Sequence, residues 1–160
     1  MVSFDPQIDA SRLRPVAQAR ILYADTDAVG IVYHAAYFRY LELARVELLR
    51  GAGMLPTELE SAGQALPLVE VGVRFCSPGR YDDRVTILAG LVKVTQVRVW
   101  FQYRVVVEPG DRLGEDDRVE LLRAETRHCC VRRQDGRPAR IPAPTFERLR
   151  AAMGSPPSPA

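Results

Sequence analysis

Cysteine and histidine are scarce in this chain of 160 residues, with three of the first and two of the second. Cys76, Cys129 and Cys130 are odd in number and two of them are neighbours, so they make a poor disulfide framework and match no CxxC metal spacing; free thiols are expected. His34 and His128, with no HExxH, give too few ligands for a protein-held metal, and none is expected. Long hydrophobic runs are missing as well. The longest uncharged stretch, from Ala28 up to Arg39, includes His34 and tyrosines and is too short to span a bilayer. The opening MVSFDPQIDASRLR has no apolar run behind a basic start, so no secretory signal is read and a cytoplasmic protein is the default. An excess of one charge is absent too: 22 basic against 20 acidic side chains leave +2, too balanced for a nucleic-acid partner. Neither a glycine-rich phosphate loop nor a GxSxG elbow occurs, which argues against a nucleotide enzyme and a serine hydrolase; no cofactor is expected.

What is present is an ordinary globular composition, 47% apolar and 26% charged, in a length that suits one domain. Residues 1–14 show no sustained period and read as an arm; residues 154–160, GSPPSPA, are Pro/Ser-rich and are expected to be disordered. The domain is expected over 15–153. Val16 to Tyr23 is a plausible first strand. It runs into Asp25-Thr26-Asp27-Ala28-Val29-Gly30, residue types that suit a turn. Val32 to Arg50 predicts a long helix with Phe38, Leu41, Ala44 and Leu48 at three- and four-residue spacing, apolar almost all round and so mostly buried. Thr57 to Glu60 has the form of a capping box and suggests a short helix. The period then changes to two: Val69, Val71, Val73 and Phe75 predict a strand with one buried face, followed by strands over 85–95, 97–107 and 119–133. Asp135-Gly136 offers a tight reversal, and residues 145–153 a short terminal helix. One strand, one apolar helix and a run of closely connected strands imply an α+β fold in which an antiparallel sheet curls around the helix.

The chemistry concentrates at the turn. Asp25 and Asp27 stand just before the helix, where aspartates commonly act as caps and turn formers. A helix N-terminus also presents unpaired N–H groups and a positive dipole end, which can stabilise charge developing on a carbonyl oxygen. His34 follows seven residues after Asp27. A carboxylate, a helix N-terminus and a histidine together suffice for acyl transfer.

The run YADTDAVGIVYHAAYFRYLELARVELLR, from Tyr23 to Arg50, resembles the opening of the 4-hydroxybenzoyl-CoA thioesterase superfamily, in its acyl-CoA branch associated with the Tol-Pal system. The likeness continues through Leu66-Pro67, Arg74-Phe75, Tyr81-Asp82-Asp83 and, more loosely, Arg140-Ile141-Pro142. It implies a hotdog fold: a curled antiparallel sheet wrapped around one long central helix. It further implies hydrolysis of acyl-CoA or acyl-carrier-protein thioesters, with Asp27 as the catalytic carboxylate, nucleophile or general base, and the carbonyl-polarising amide near His34. Asp25 is expected to fix the loop. Tyr23, Gly30 and Tyr33 are the expected substrate-binding positions. The family often has Pro-Ala where this chain has Pro78-Gly79, a change expected to loosen that loop. The resemblance also implies homodimers, stacking into homotetramers, and one sheet on one helix does leave an open edge strand to be covered.

Three further features have two readings each. Arg132, Arg133, Arg137 and Arg140 cluster around Asp135-Gly136, either as a solvated hairpin tip or as contacts for the phosphates of coenzyme A; Arg133 is the substrate-binding candidate. Glu42 is the rival carboxylate, since another hotdog branch uses a glutamate on the central helix, but Arg45 three residues on suggests an ion pair instead. His128 reads as core or edge packing. The competing functions are a hotdog dehydratase, a natural-product chain-releasing thioesterase and a non-catalytic acyl-binding module.

Overall fold

The computed structural model describes residues 6–154. Its elements are β1 (Arg14–Arg20), α1 (Ala36–Gly51), α2 (Pro56–Ser61), β2 (Gln64–Ala65), β3 (Leu68–Phe75), β4 (Arg84–Val94), β5 (Arg98–Val107), β6 (Val119–Cys129), β7 (Val131–Arg132) and α3 (Ala143–Gly154). Five strands form an antiparallel sheet in the order β1-β4-β5-β6-β3, and β2 pairs with β7 apart from it. Helix α1 lies against β1 and β4, while α3 packs on β4. This is the expected hotdog arrangement.

The core sits between helix and sheet. Alternation in β5 sends Val99, Phe101, Tyr103, Val105 and Val107 inward, where they meet Tyr37, Tyr40, Leu41, Ala44 and Leu48 of α1. All three cysteines are thiols; Cys129 and Cys130 are buried and Cys76 is exposed.

Several expectations shift. Helix α1 begins at Ala36, four residues late, because Ile31 and Val32 are drawn into β-bridges with Arg80 and Thr26 and their backbone is no longer available to a helix. Phe38 is 40% exposed, so α1 is less covered than its sequence suggests. The start of α2 lies two residues earlier than the capping box drawn from Thr57: Glu58 reaches back to the Leu55 N–H at 3.2 Å. The strand expected over 119–133 is interrupted at Cys130, after which β7 turns away to β2. Of the arm, residues 6–13 lie on the sheet: the Asp9 N–H donates to Gln102 Oε1 (3.0 Å), and Gln102 Nε2 donates to the Gln7 carbonyl (2.9 Å). The expected disordered tail falls, from Ser155 onward, outside the described residues.

The largest difference is β3. Val73 and Phe75 do face the helix side, but a bulge between Leu68 and Glu70 shifts the alternation so that Leu68 borders the helix there, and β3 is an edge strand with little above it. Val69 is 56% and Phe75 53% exposed.

Candidate active site

The turn ahead of α1 is a small hairpin. Asp27 N–H donates to the Ile31 carbonyl (2.9 Å), Thr26 bridges Val32, and Gly30, at φ +82°, closes the reversal with its N–H on the Asp27 carbonyl (2.9 Å). That φ favours glycine, so Gly30 is placed by the turn itself. Tyr33 N–H then donates to the Asp25 carbonyl (2.8 Å), and His34 follows at once. Asp27 and His34 are thereby brought to one end of α1.

The two aspartates differ sharply. Asp25 is 3% exposed; its carboxylate accepts from Leu22 N–H (3.0 Å) and the Tyr40 hydroxyl (2.8 Å) and pairs with Arg39. It fixes the loop, as expected. Asp27 accepts one hydrogen bond, from Val29 N–H to Oδ1 (2.8 Å), and among the described residues has no cation partner. Beyond it, the N–H groups of His34 and Ala35 have no acceptor among the described residues. They point to the positive end of a sixteen-residue helix.

Tyr33 lies against the exposed His34 ring, tilted by 54° at 4.3 Å between centroids. Tyr23, 80% exposed, meets the Tyr81 ring in an edge-to-face arrangement, at 6.1 Å between centroids. Arg133 is not gathered here. It lies beyond the Leu68 end of β3, its N–H on the Gly63 carbonyl and its guanidinium 3.7 Å from Glu60, whereas the Asp27 hairpin joins the Phe75 end through Gly79 and Arg80. Eight strand residues separate the two ends, roughly 25 Å. Arg132 likewise bonds Asp135 (2.8 Å), so the cluster is mostly a self-paired hairpin tip. The expected Glu42–Arg45 ion pair does not form: neither has an ion-pair partner among the described residues, and both border a cleft farther along α1.

Sequence reasoning missed the support beneath the hairpin. Arg112 and Asp83 form a buried pair (Nη2–Oδ2 2.6 Å, Nε–Oδ1 2.9 Å), and Arg112 also donates to the Pro78 carbonyl (3.0 Å). Asp83 in turn accepts the Arg80 N–H (2.8 Å). The turn so held receives Val32 N–H on the Gly79 carbonyl (2.9 Å). Gly79 therefore tightens this loop. A Cβ there would lie 2.9 Å from both the Tyr37 hydroxyl oxygen and a Val32 methyl, closer than side chains pack. The only sequence signal was Tyr81-Asp82-Asp83, which marks a turn without naming its distant arginine.

Comparison with known proteins adds to this geometry. Residues 21–151 match the family described as the thioesterase-like superfamily. The acyl-CoA thioester hydrolase YbgC of Escherichia coli O6:H1 is 32% identical over 96 residues, 60% of this chain and 72% of that protein. A hypothetical protein of Thermus thermophilus, 34% identical, superimposes with a TM-score of 0.74 over 87% of this chain and 99% of that one. The 4-hydroxybenzoyl CoA thioesterase, in complex with 4-hydroxybenzoyl CoA, is 23% identical and shares the fold, with a TM-score of 0.73 over 86% and 99%.

Proposed function

The chain belongs to the thioesterase-like superfamily, and from that premise we propose that it hydrolyses acyl-CoA thioesters at the hairpin before α1. The observation that carries this reading is the contrast at Asp27: a carboxylate with an oxygen left uncommitted, beside two uncommitted N–H groups at a helix start. The thioester carbonyl oxygen is received by the His34 and Ala35 N–H groups, which stabilise the negative charge it gains. Asp27 then acts in one of two ways. As nucleophile it adds to the carbonyl carbon, the C–S bond breaks to release thiolate, and water cleaves the resulting anhydride. As general base it takes a proton from a water that adds directly, and the thiol leaves with that proton. His34 and Tyr33 orient the ester from one side and Tyr23 borders the entrance.

Assembly is part of the same reading. The bare β3 edge and its exposed apolar residues suit pairing with a second copy, and antiparallel pairing would set the Arg133 end of one chain beside the Asp27 end of the other. Arg133 is then a phosphate contact across a homodimer, and two dimers stack as a homotetramer. Coenzyme A is favoured over a carrier protein as the thiol handle by the YbgC likeness.

The test is thiol release from a panel of acyl-CoAs, short, long and aromatic, by the wild type and Asp27→Asn. Loss of about a thousandfold or more in kcat with an unchanged fold supports the assignment. A mutant as active as the wild type overturns it and leaves Glu42 as the candidate carboxylate.

A further inference from the structure

Two buried tyrosines near the start of α1 carry hydroxyls that core packing alone does not call for. Tyr37 is 3% and Tyr40 6% exposed, and their rings meet edge to face at 6.1 Å between centroids. Phenylalanine rings would fill the same places, and a hydroxyl taken out of water is costly unless it is bonded. Three residues apart, the two side chains share one face of the helix. Their hydroxyls go to different neighbours. Tyr40 donates to Asp25 Oδ2 (2.8 Å). Tyr37 is seated over Gly79, where a Cβ would stand 2.9 Å from the hydroxyl oxygen, and it takes hydrogen bonding from the Gly79 backbone.

Both neighbours also hold the approach to α1. The Gly79 carbonyl accepts the Val32 N–H (2.9 Å), and the Asp25 carbonyl accepts the Tyr33 N–H (2.8 Å). Ala36 N–H then donates to the Tyr33 carbonyl (2.8 Å), and between Tyr33 and Ala36 stand the His34 and Ala35 N–H groups. The direction of that pair is thus set by acceptors from two other parts of the chain. Asp25 comes from the turn after β1 and Gly79 from the turn after β3. The tyrosines tie both back to the helix. Burial pushes Tyr37 up to about 12, against the hydrogen bonding of Gly79, and burial raises Tyr40 too. Both hydroxyls are therefore neutral at pH 7 and act as tethers, not as proton carriers.

We propose that Tyr37 and Tyr40 are positioning residues for the hydrolysis: by coupling α1 to Gly79 and Asp25 they fix the His34 and Ala35 N–H groups where the thioester oxygen gains charge. Such donors must stand about 2.7–3.1 Å from the developing oxyanion, so a small drift lowers kcat while the ester still binds. The inference rests on the thioesterase reading for what the N–H pair does, and on geometry alone for what holds it.

The experiment uses the full chain with Tyr37→Phe and Tyr40→Phe, which keep the rings and remove only the hydroxyls. Thiol release from butyryl-, octanoyl- and benzoyl-CoA should lose roughly five- to thirtyfold in kcat in each variant, with KM within about twofold of wild type. Amide hydrogen exchange, followed residue by residue by NMR, supplies a signature that a purely structural role lacks. Tyr37→Phe should speed exchange at Val32, and Tyr40→Phe at Tyr33, each by about threefold or more, while the β5 amides keep wild-type rates. Wild-type kcat in both variants, or a loss confined to KM, overturns the proposal. So does exchange that rises uniformly through the core, since the hydroxyls would then serve stability alone. If the wild type hydrolyses none of the three esters, the thioesterase reading falls. Local exchange changes would then still uphold the tethers, and their absence would overturn them.

Discussion

One half of the molecule finishes its own interactions and the other does not. Around β1 and the β3–β4 turn, charges are answered within the chain: Asp25 by Leu22, Arg39 and Tyr40, Asp83 by Arg112 and Arg80. Residues 6–13 are fitted to the sheet there so closely that a Cβ on Gly90 would stand 2.3 Å from the Arg12 carbonyl oxygen. Along the groove between α1 and β3 the opposite holds. Asp27, Glu42 and Arg45 have no ion-pair partner among the described residues, and Phe38, Val69, Val71 and Phe75 are exposed. These charges are open to solvent rather than buried, so leaving them unpaired costs the fold little, and together with the exposed apolar residues beside them they mark the side on which something outside the chain can bind.

The sharpest way to break this contrast is to apply one substitution to both sides of it. Asp27→Asn should cost about a thousandfold in kcat while moving the melting temperature little, because Asp27 makes one hydrogen bond. Asp25→Asn should do the reverse in kind: about 2–3 kcal/mol of stability, read by urea denaturation, because charge-assisted bonds to a buried carboxylate are lost. Equal stability losses at the two positions would erase the distinction between them.

Next in size is the pair beneath the hairpin. Asp83→Asn leaves a buried arginine without its charge partner, and a loss of about 3–5 kcal/mol is expected. Since Asp83 and Arg112 hold the turn that receives Val32, activity should fall in the surviving folded fraction as well. A variant that is destabilised yet has unchanged kcat per folded molecule would show that the hairpin is held without them.

His128 offers a smaller effect that is switched by pH. Its folded value is lowered to about 4 from the ordinary 6.5, mainly by burial. The unfolded chain therefore binds the proton first on acidification. The contribution is intact above about pH 6.5, and it is lost as pH falls toward 4. The loss is about 2 kcal/mol at pH 5 and about 3 kcal/mol once the folded value is passed. Urea midpoints of wild type and His128→Gln at pH 7.5 and 5 should converge on acidification. Parallel pH profiles would mean that His128 is not the group concerned.

How much of this was legible in the sequence follows the same division. Period-two and period-three-to-four patterns read correctly wherever the chain covers its own apolar face, as with Val99 to Val107 against Leu41 and Ala44. The pattern of Val69 to Phe75 marked an apolar face equally well, but alternation says nothing about whether the cover comes from the same chain. The start of α1 was misplaced because Val32 looks like a helix residue until Gly79, far along the sequence, accepts its N–H and Thr26 bridges it. Asp83 and Arg112 lie 29 residues apart with no shared motif, so their pairing belonged to the fold rather than to local sequence. Asp25 and Asp27 were separable only by resemblance; in composition and spacing they are the same signal.

The gentlest probe bears on the open side directly. Val71 lies on the helix-facing side of the edge strand and is partly exposed, so Val71→Lys should change the stability of an isolated chain by less than about 0.5 kcal/mol. An edge lysine is also what natural sheets use to prevent edge-to-edge pairing. If a second copy covers β3, light scattering at micromolar concentration should show the wild type as a dimer or tetramer and the variant reduced in mass, with thiol release falling alongside because the Arg133 end of the second chain is withdrawn. If wild type and variant are both monomeric and equally active, the groove is completed by the substrate alone. Val69 and Phe75 would then be walls of the acyl site rather than of an interface.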